Sequence, residues 1–121
     1  MTKIILTVDD SPSVRRMIAM TLREAGYSVL EASDGQEGLQ VATSTRCDAI
    51  IVDQNMPNLN GIGMIQSLRK HPNGQGIPVI VLSTDSTDSL KQQAREAGAL
   101  GWMVKPFNQE KLLSVMRKVL G

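Results

Sequence analysis

The chain has 121 residues and a formal net charge of +1, from 13 Lys and Arg against 12 Asp and Glu. That length fits one domain with a core of its own, and that balance excludes a polybasic nucleic-acid arm or a long acidic tail. A lone Cys47 and a lone His71 exclude a disulfide framework or a Cys/His zinc site within the chain, and Tyr27, Trp102 and Phe107 are too few aromatics for a base-stacking platform.

Ile4 to Val8 is a short β-rich apolar run, which predicts a strand buried on both faces and ending at Asp9-Asp10. Lys3 and Ile4-Ile5-Leu6 before it are too short for a signal peptide, and no apolar run approaches a membrane span, so the reducing cytoplasm is the expected compartment. Ser11-Pro12 opens a helix whose core face is Val14, Met17, Ile18 and Leu22, and Gly26 stops it. A second strand spans Ser28 to Ala32. Asp34-Gly35 turns the chain, and a weaker helix follows over Gln36 to Thr43, with Gly38 costing it about 1 kcal/mol against Ala.

Ala49 to Val52 is a third strand ending at Asp53. Gln54 to Asn60 carries loop chemistry in Pro57 and Asn60-Gly61, after which Ile62, Ile65 and Leu68 start a third helix. His71 to Gly76 reads as a loop. Val79 to Leu82 is a fourth strand, ending at Ser83-Thr84-Asp85. Leu90, Ala94 and Ala97 mark a fourth helix that Gly98 stops. Leu100 to Val104 is a fifth strand ending at Lys105-Pro106, and Asn108 is a good N-cap for a last helix with Leu112, Leu113, Met116, Val119 and Leu120 inward. The first 85 residues hold 7 basic and 9 acidic groups, net −2, and the remainder 6 and 3, net +3, a skew that ordinary surface charge accounts for.

Five strand–helix units in strict alternation predict a parallel sheet with helices on both faces, one α/β domain over residues 1–121. Ligands of such sheets bind at the carboxyl ends of the strands. Those ends carry Asp9-Asp10, Asp53, Ser83 and Lys105, whereas the second strand ends in nothing reactive, Glu31 coming nearest. Three neighbouring carboxylates need compensation, and a hard divalent cation together with one lysine balances them. Adjacent Asp residues alone also suit a turn or a helix cap, and Asp10 can do some of that work. That plainer role leaves Asp53 and Lys105 without an account.

With these residues the chain resembles the receiver domains of two-component response regulators, in particular single-domain chemotaxis regulators of the CheY type. The resemblance spans the whole chain. It runs through Val8-Asp9-Asp10-Ser11, Val52-Asp53-Gln54-Asn55-Met56-Pro57, Asn60-Gly61, Val81-Leu82-Ser83-Thr84, Ala97-Gly98-Ala99 and Val104-Lys105-Pro106-Phe107. It implies a flavodoxin-like (βα)5 three-layer sandwich with strand order 2-1-3-4-5. It makes Asp53 the phosphoacceptor, Asp10 a direct ligand of Mg2+, Asp9 the second acidic-pocket residue and the Asn55 carbonyl the last protein ligand. Ser83 becomes the switch hydroxyl and Lys105 the phosphate-binding cation, with Lys105-Pro106 matching the family's cis peptide.

Trp102 stands where many receivers carry Tyr or Phe as the switch aromatic; the plainer reading is a Trp packed under the last helices. The resemblance also links polar residues at Asn55 and Asp85 to rapid phosphate loss, while Asp85 could simply cap the fourth helix. It places partner contacts on Lys91, Arg95, Trp102, Lys111 and Lys118, each of which a solvated helix face explains equally. The implied partners are a sensor histidine kinase (a chemotaxis kinase) and a flagellar motor switch protein or another target, with a phosphatase as a further candidate. With no effector domain after residue 121, DNA binding by this chain is not expected, and with no long apolar run neither is a membrane contact. A phosphorelay intermediate or a phosphate sink is the alternative within the family.

Rival chemistries fit less well. A haloacid-dehalogenase-like phosphatase needs a general acid where Asn55 stands. A flavodoxin-like electron carrier needs a phosphate cradle where Asp9-Asp10 would repel it. No Gly-x-x-x-x-Gly-Lys loop occurs. Cys47 and His71 read as structural or idle, and the seven Met residues as core filler with Met56 near Asp53.

Overall fold

The computed structural model describes residues 2–120. Strands β1 (Ile4–Val8), β2 (Ser28–Ala32), β3 (Ala49–Asp53), β4 (Val79–Ser83) and β5 (Gly101–Val104) alternate with helices α1 (Pro12–Glu24), α2 (Gly35–Ser44), α3 (Gly61–Lys70), α4 (Asp88–Ala97) and α5 (Gln109–Leu120). All strand pairs are parallel and the sheet order is β2-β1-β3-β4-β5. This is the flavodoxin-like three-layer sandwich expected above.

Every residue of β3 and β4 is buried, as continuous Ile/Val/Leu runs covered on both faces require. Leu6, Val8, Ile50, Val52, Val79 and Val81 pack toward α2, α3 and α4. Ile5, Ile51, Ile80 and Leu82 pack toward α1 and α5 with Ile18, Leu22, Leu112 and Met116. Each such side chain contributes roughly 1.5–3 kcal/mol when buried. The two layers therefore hold the sheet rigid beneath its carboxyl edge.

Local chemistry sets the helix ends. Ser11, Asp34, Asn60 and Thr87 cap α1 to α4 through their side-chain oxygens. Asn108 Oδ1 accepts from Lys111 N at 2.7 Å and opens α5. Gly98, at φ 110°, closes α4 in the left-handed region.

Three local readings change. Asp34 is the N-cap of α2, and Glu37 reaches back to the Ser33 N–H at 2.9 Å, so the predicted turn is a helix start. Gly38 is a site of close approach: a Cβ there would lie 2.8 Å from Val8 Cγ2, so helix and sheet meet because it is absent. Within the 71–76 loop, Pro72–Gly74 forms one 3-10 turn, begun by His71 Nδ1 accepting from Asn73 N at 3.1 Å.

Candidate functional site

The chain leaves β1 toward β2 on one side and returns through β3 on the other, so a crevice opens between the carboxyl ends of β1 and β3. Asp9 and Asp10 follow β1, and Asp53 is the last residue of β3. One carboxylate oxygen from each of the three lies within 4.8 Å of the others.

The three are held differently. Asp9 is buried: its Oδ1 accepts from Ser11 N at 2.9 Å and its Oδ2 from Lys105 Nζ at 3.4 Å. Asp53 is 6% exposed and pairs with the same Nζ at 3.1 Å. Asp10 is exposed, and Ser11, not Asp10, caps α1. Burial pushes the Asp53 carboxyl above its ordinary value, the Asp9 carboxylate adds to that, and Lys105 pulls it back down. One ammonium between two buried carboxylates leaves net negative charge in the site. Three hard oxygen donors in that setting fit Mg2+.

Ser83 ends β4, fully buried, and its Oγ accepts from Asp85 N at 3.0 Å. A hydroxyl that accepts still has a proton to donate. The Lys105 N–H donates to the Ser83 carbonyl at 2.8 Å, which ties the ends of β4 and β5 together through the backbone. The Lys105–Pro106 peptide is cis, as the resemblance implies.

Trp102 is half-buried, and its indole N–H donates to the Asp85 carbonyl at 3.1 Å. It packs against the cluster on the α4 side, not beneath α5, because it alternates with Met103, which takes the α5 side. Asp85 does not cap α4. Thr87 does, and Asp85 Oδ1 instead accepts from Thr87 N at 2.8 Å. Asn55 is exposed in the bend after β3. Lys91, Arg95 and Trp102 line one hollow, and Trp102 and Lys111 line the next one along β5; Lys118, in the last turn of α5, lines neither.

Three residues beside this site are given no role by the sequence. The buried Gln54 accepts from Ile62 N at 2.9 Å and fixes the start of α3 beside Asp53. Arg15 donates to the Asp9 carbonyl at 2.6 Å, and Glu31 lies 3.5 Å from its Nε. Strand parity puts Glu31 on the α1 side, but nothing in the sequence says that an arginine waits there.

Residues 5–117 match the response regulator receiver domain family. The chain belongs to that family. It is therefore a receiver of two-component signalling, a signalling switch in class. It resembles chemotaxis protein CheY4 of Vibrio cholerae at 41% identity and a TM-score of 0.94, over 99% of this chain and 100% of that one. The receiver domain of sensor histidine kinase PA1611 from Pseudomonas aeruginosa, solved with a magnesium ion coordinated in its active-site cleft, is 29% identical with a TM-score of 0.91, covering 100% of this chain and 99% of that one. Response regulator MprA of Mycolicibacterium vanbaalenii is 39% identical over 96% of this receiver and 49% of its own length. The receiver thus spans about half the length of the first curated relatives it matches. No helix among the described residues is long and apolar enough to cross a membrane.

Proposed function

We propose that this receiver accepts a phosphoryl group on Asp53 from the phosphohistidine of a sensor kinase in the cytoplasm and passes the signal on through protein contacts. The observation that carries this reading is the shared ammonium: Lys105 Nζ sits 3.1 Å from Asp53 and 3.4 Å from Asp9. An Asp53 oxygen attacks phosphorus in line, the phosphorus–nitrogen bond to the donor imidazole breaks, and an acyl phosphate forms. Lys105 already lies where the transferred oxygens arrive, so it neutralises their charge without moving far. Asp9, Asp10, Asp53 and the Asn55 carbonyl would hold Mg2+, which supplies further neutralisation of those oxygens.

The phosphate then offers a new acceptor to the Ser83 hydroxyl. Turning toward it costs the Asp85 N–H its partner at Ser83, and Asp85 is also the residue whose carbonyl holds Trp102. A change at Asp53 thereby reaches the hollow lined by Lys91, Arg95 and Trp102, the face we assign to a target such as a flagellar motor switch protein, with Lys111 and Lys118 nearby. Asn55 and Asp85 give water a polar approach to the acyl phosphate, which suits a short-lived signal. The likeness to a chemotaxis protein favours the chemotaxis role. The likeness to a kinase-borne receiver favours the relay alternative.

The test is intact mass after incubation with a small phosphodonor. One added phosphoryl group that requires Mg2+, accompanied by a change in Trp102 emission, is expected. No addition with Mg2+ demonstrably bound would contradict the reading.

A further inference from the structure

We propose that Arg15 and Glu31 are positioning residues of the metal site: β2, which supplies no ligand, fixes the backbone of the acidic pair. The inference rests on the reading of Asp9 and Asp10 as metal-holding residues. Both backbone groups of Asp9 are tied to the end of β2. Its N–H donates to the Ala32 carbonyl at 3.1 Å, and its C=O accepts from Arg15 Nη1 at 2.6 Å. Arg15 is itself set by Glu31, the neighbour of Ala32, at 3.5 Å.

A carbonyl orientation sets the direction in which the chain leaves a residue. The Asp9 carbonyl belongs to the peptide that leads into Asp10, so whatever pins it aims the exposed Asp10 carboxylate relative to the buried one. The Arg15 side chain is only 20% exposed, which makes this charge-assisted bond worth more than a surface contact. Glu31 offsets part of the arginine's charge, and the bond that Arg15 makes to Asp9 is to its backbone carbonyl, so the pair acts through geometry and not by drawing the carboxylates toward itself. A built-in control exists. Arg23 reaches the same Glu31 at 3.4 Å and the Val29 carbonyl at 3.0 Å, with no bond to Asp9.

The experiment is titration calorimetry of Mg2+ into the metal-free protein, with metal-free melting of every variant alongside. Arg15→Met should weaken Mg2+ binding about tenfold, the scale on which groups that orient metal ligands act. Arg15→Lys, which can restore one bond to the carbonyl, should recover to within about threefold of wild type. Arg23→Gln should stay within about twofold. If Arg15→Met does not fold, Glu31→Gln decides, with a loss of about threefold expected because the shape is kept and the anchoring charge removed. Wild-type affinity in Arg15→Met, or in Glu31→Gln where it must decide, overturns the proposal, as does an equal loss in Arg23→Gln. A wild-type protein that takes up no Mg2+ overturns the metal reading and this proposal together.

Discussion

Two charge clusters lie at the same end of the sheet, built from the same kinds of side chain in opposite proportions. In one, Lys105 stands between the carboxylates of Asp9 and Asp53, whose side chains are 1% and 8% exposed. In the other, Glu31 stands between Arg15 and Arg23, with side chains 20%, 51% and 35% exposed for Arg15, Arg23 and Glu31. The second cluster is wet, and the spare guanidinium bonds go to the backbone carbonyls of Asp9 and Val29. In the first, both carboxylates are buried, and Lys105 with the Ser11 N–H at Asp9 answers only part of their charge. Burial around one shared cation makes the first cluster the proposed site for a cation and a phosphoryl group; exposure together with satisfied backbone bonds makes the other a brace.

Removing the shared cation breaks the contrast most severely. Lys105→Ala should slow phosphoryl uptake by about 100-fold, the loss typical of one electrostatic donor to the reacting group, as read from the rate of mass gain. A cation that faces only carbonyls supplies the opposite case. Arg69 donates to the carbonyls of Gly74, Ile77 and Gly98, each at 2.7 Å, and so ties α3 to the 3-10 turn and to the end of α4. Arg69→Leu should cost about 3 kcal/mol in urea unfolding, from three orphaned acceptors, with phosphoryl uptake per folded molecule unchanged.

Titration sharpens the comparison further. Because the Asp53 carboxyl is raised in the folded state, its ionisation opposes folding above the unfolded-state value. The stability it withholds is present at low pH and lost as pH rises through the folded-state value. Metal-free Asp53→Asn should therefore melt above wild type at pH 7, with the gain vanishing as pH falls below about 4. The smallest effect lies between the clusters. Thr7 is in register with Glu31 and Ile51, and its buried hydroxyl has no hydrogen-bond partner among the described residues. Thr7→Val keeps the shape and should add about 1 kcal/mol by denaturant unfolding.

Much of this was legible because parallel sheets write themselves as apolar runs with their chemistry at the ends. Asp9, Asp53, Ser83 and Lys105 each terminate a run, and the order of elements brings those ends together. Residues that act through backbone bonds leave no such mark. Gln54 follows Asp53 in an irregular loop and reaches forward to Ile62. Arg15 sits beside the apolar stripe of α1 and points at a carbonyl that only the fold brings near. The propensity cost at Gly38 is set against a close approach to Val8 that the local sequence does not reveal, because that contact is long-range. Trp102 was placed on the correct strand, but which face it takes depends on where β5 meets α4.

Borohydride trapping locates the acyl phosphate and tests the central claim most directly. Reduction of an aspartyl phosphate leaves homoserine at the modified position, readable by peptide mass mapping after exposure to phosphodonor and Mg2+. Homoserine at Asp53 alone, absent without Mg2+, is the predicted result. Homoserine at Asp9 or Asp10, or a phosphoprotein with none at Asp53, would contradict it.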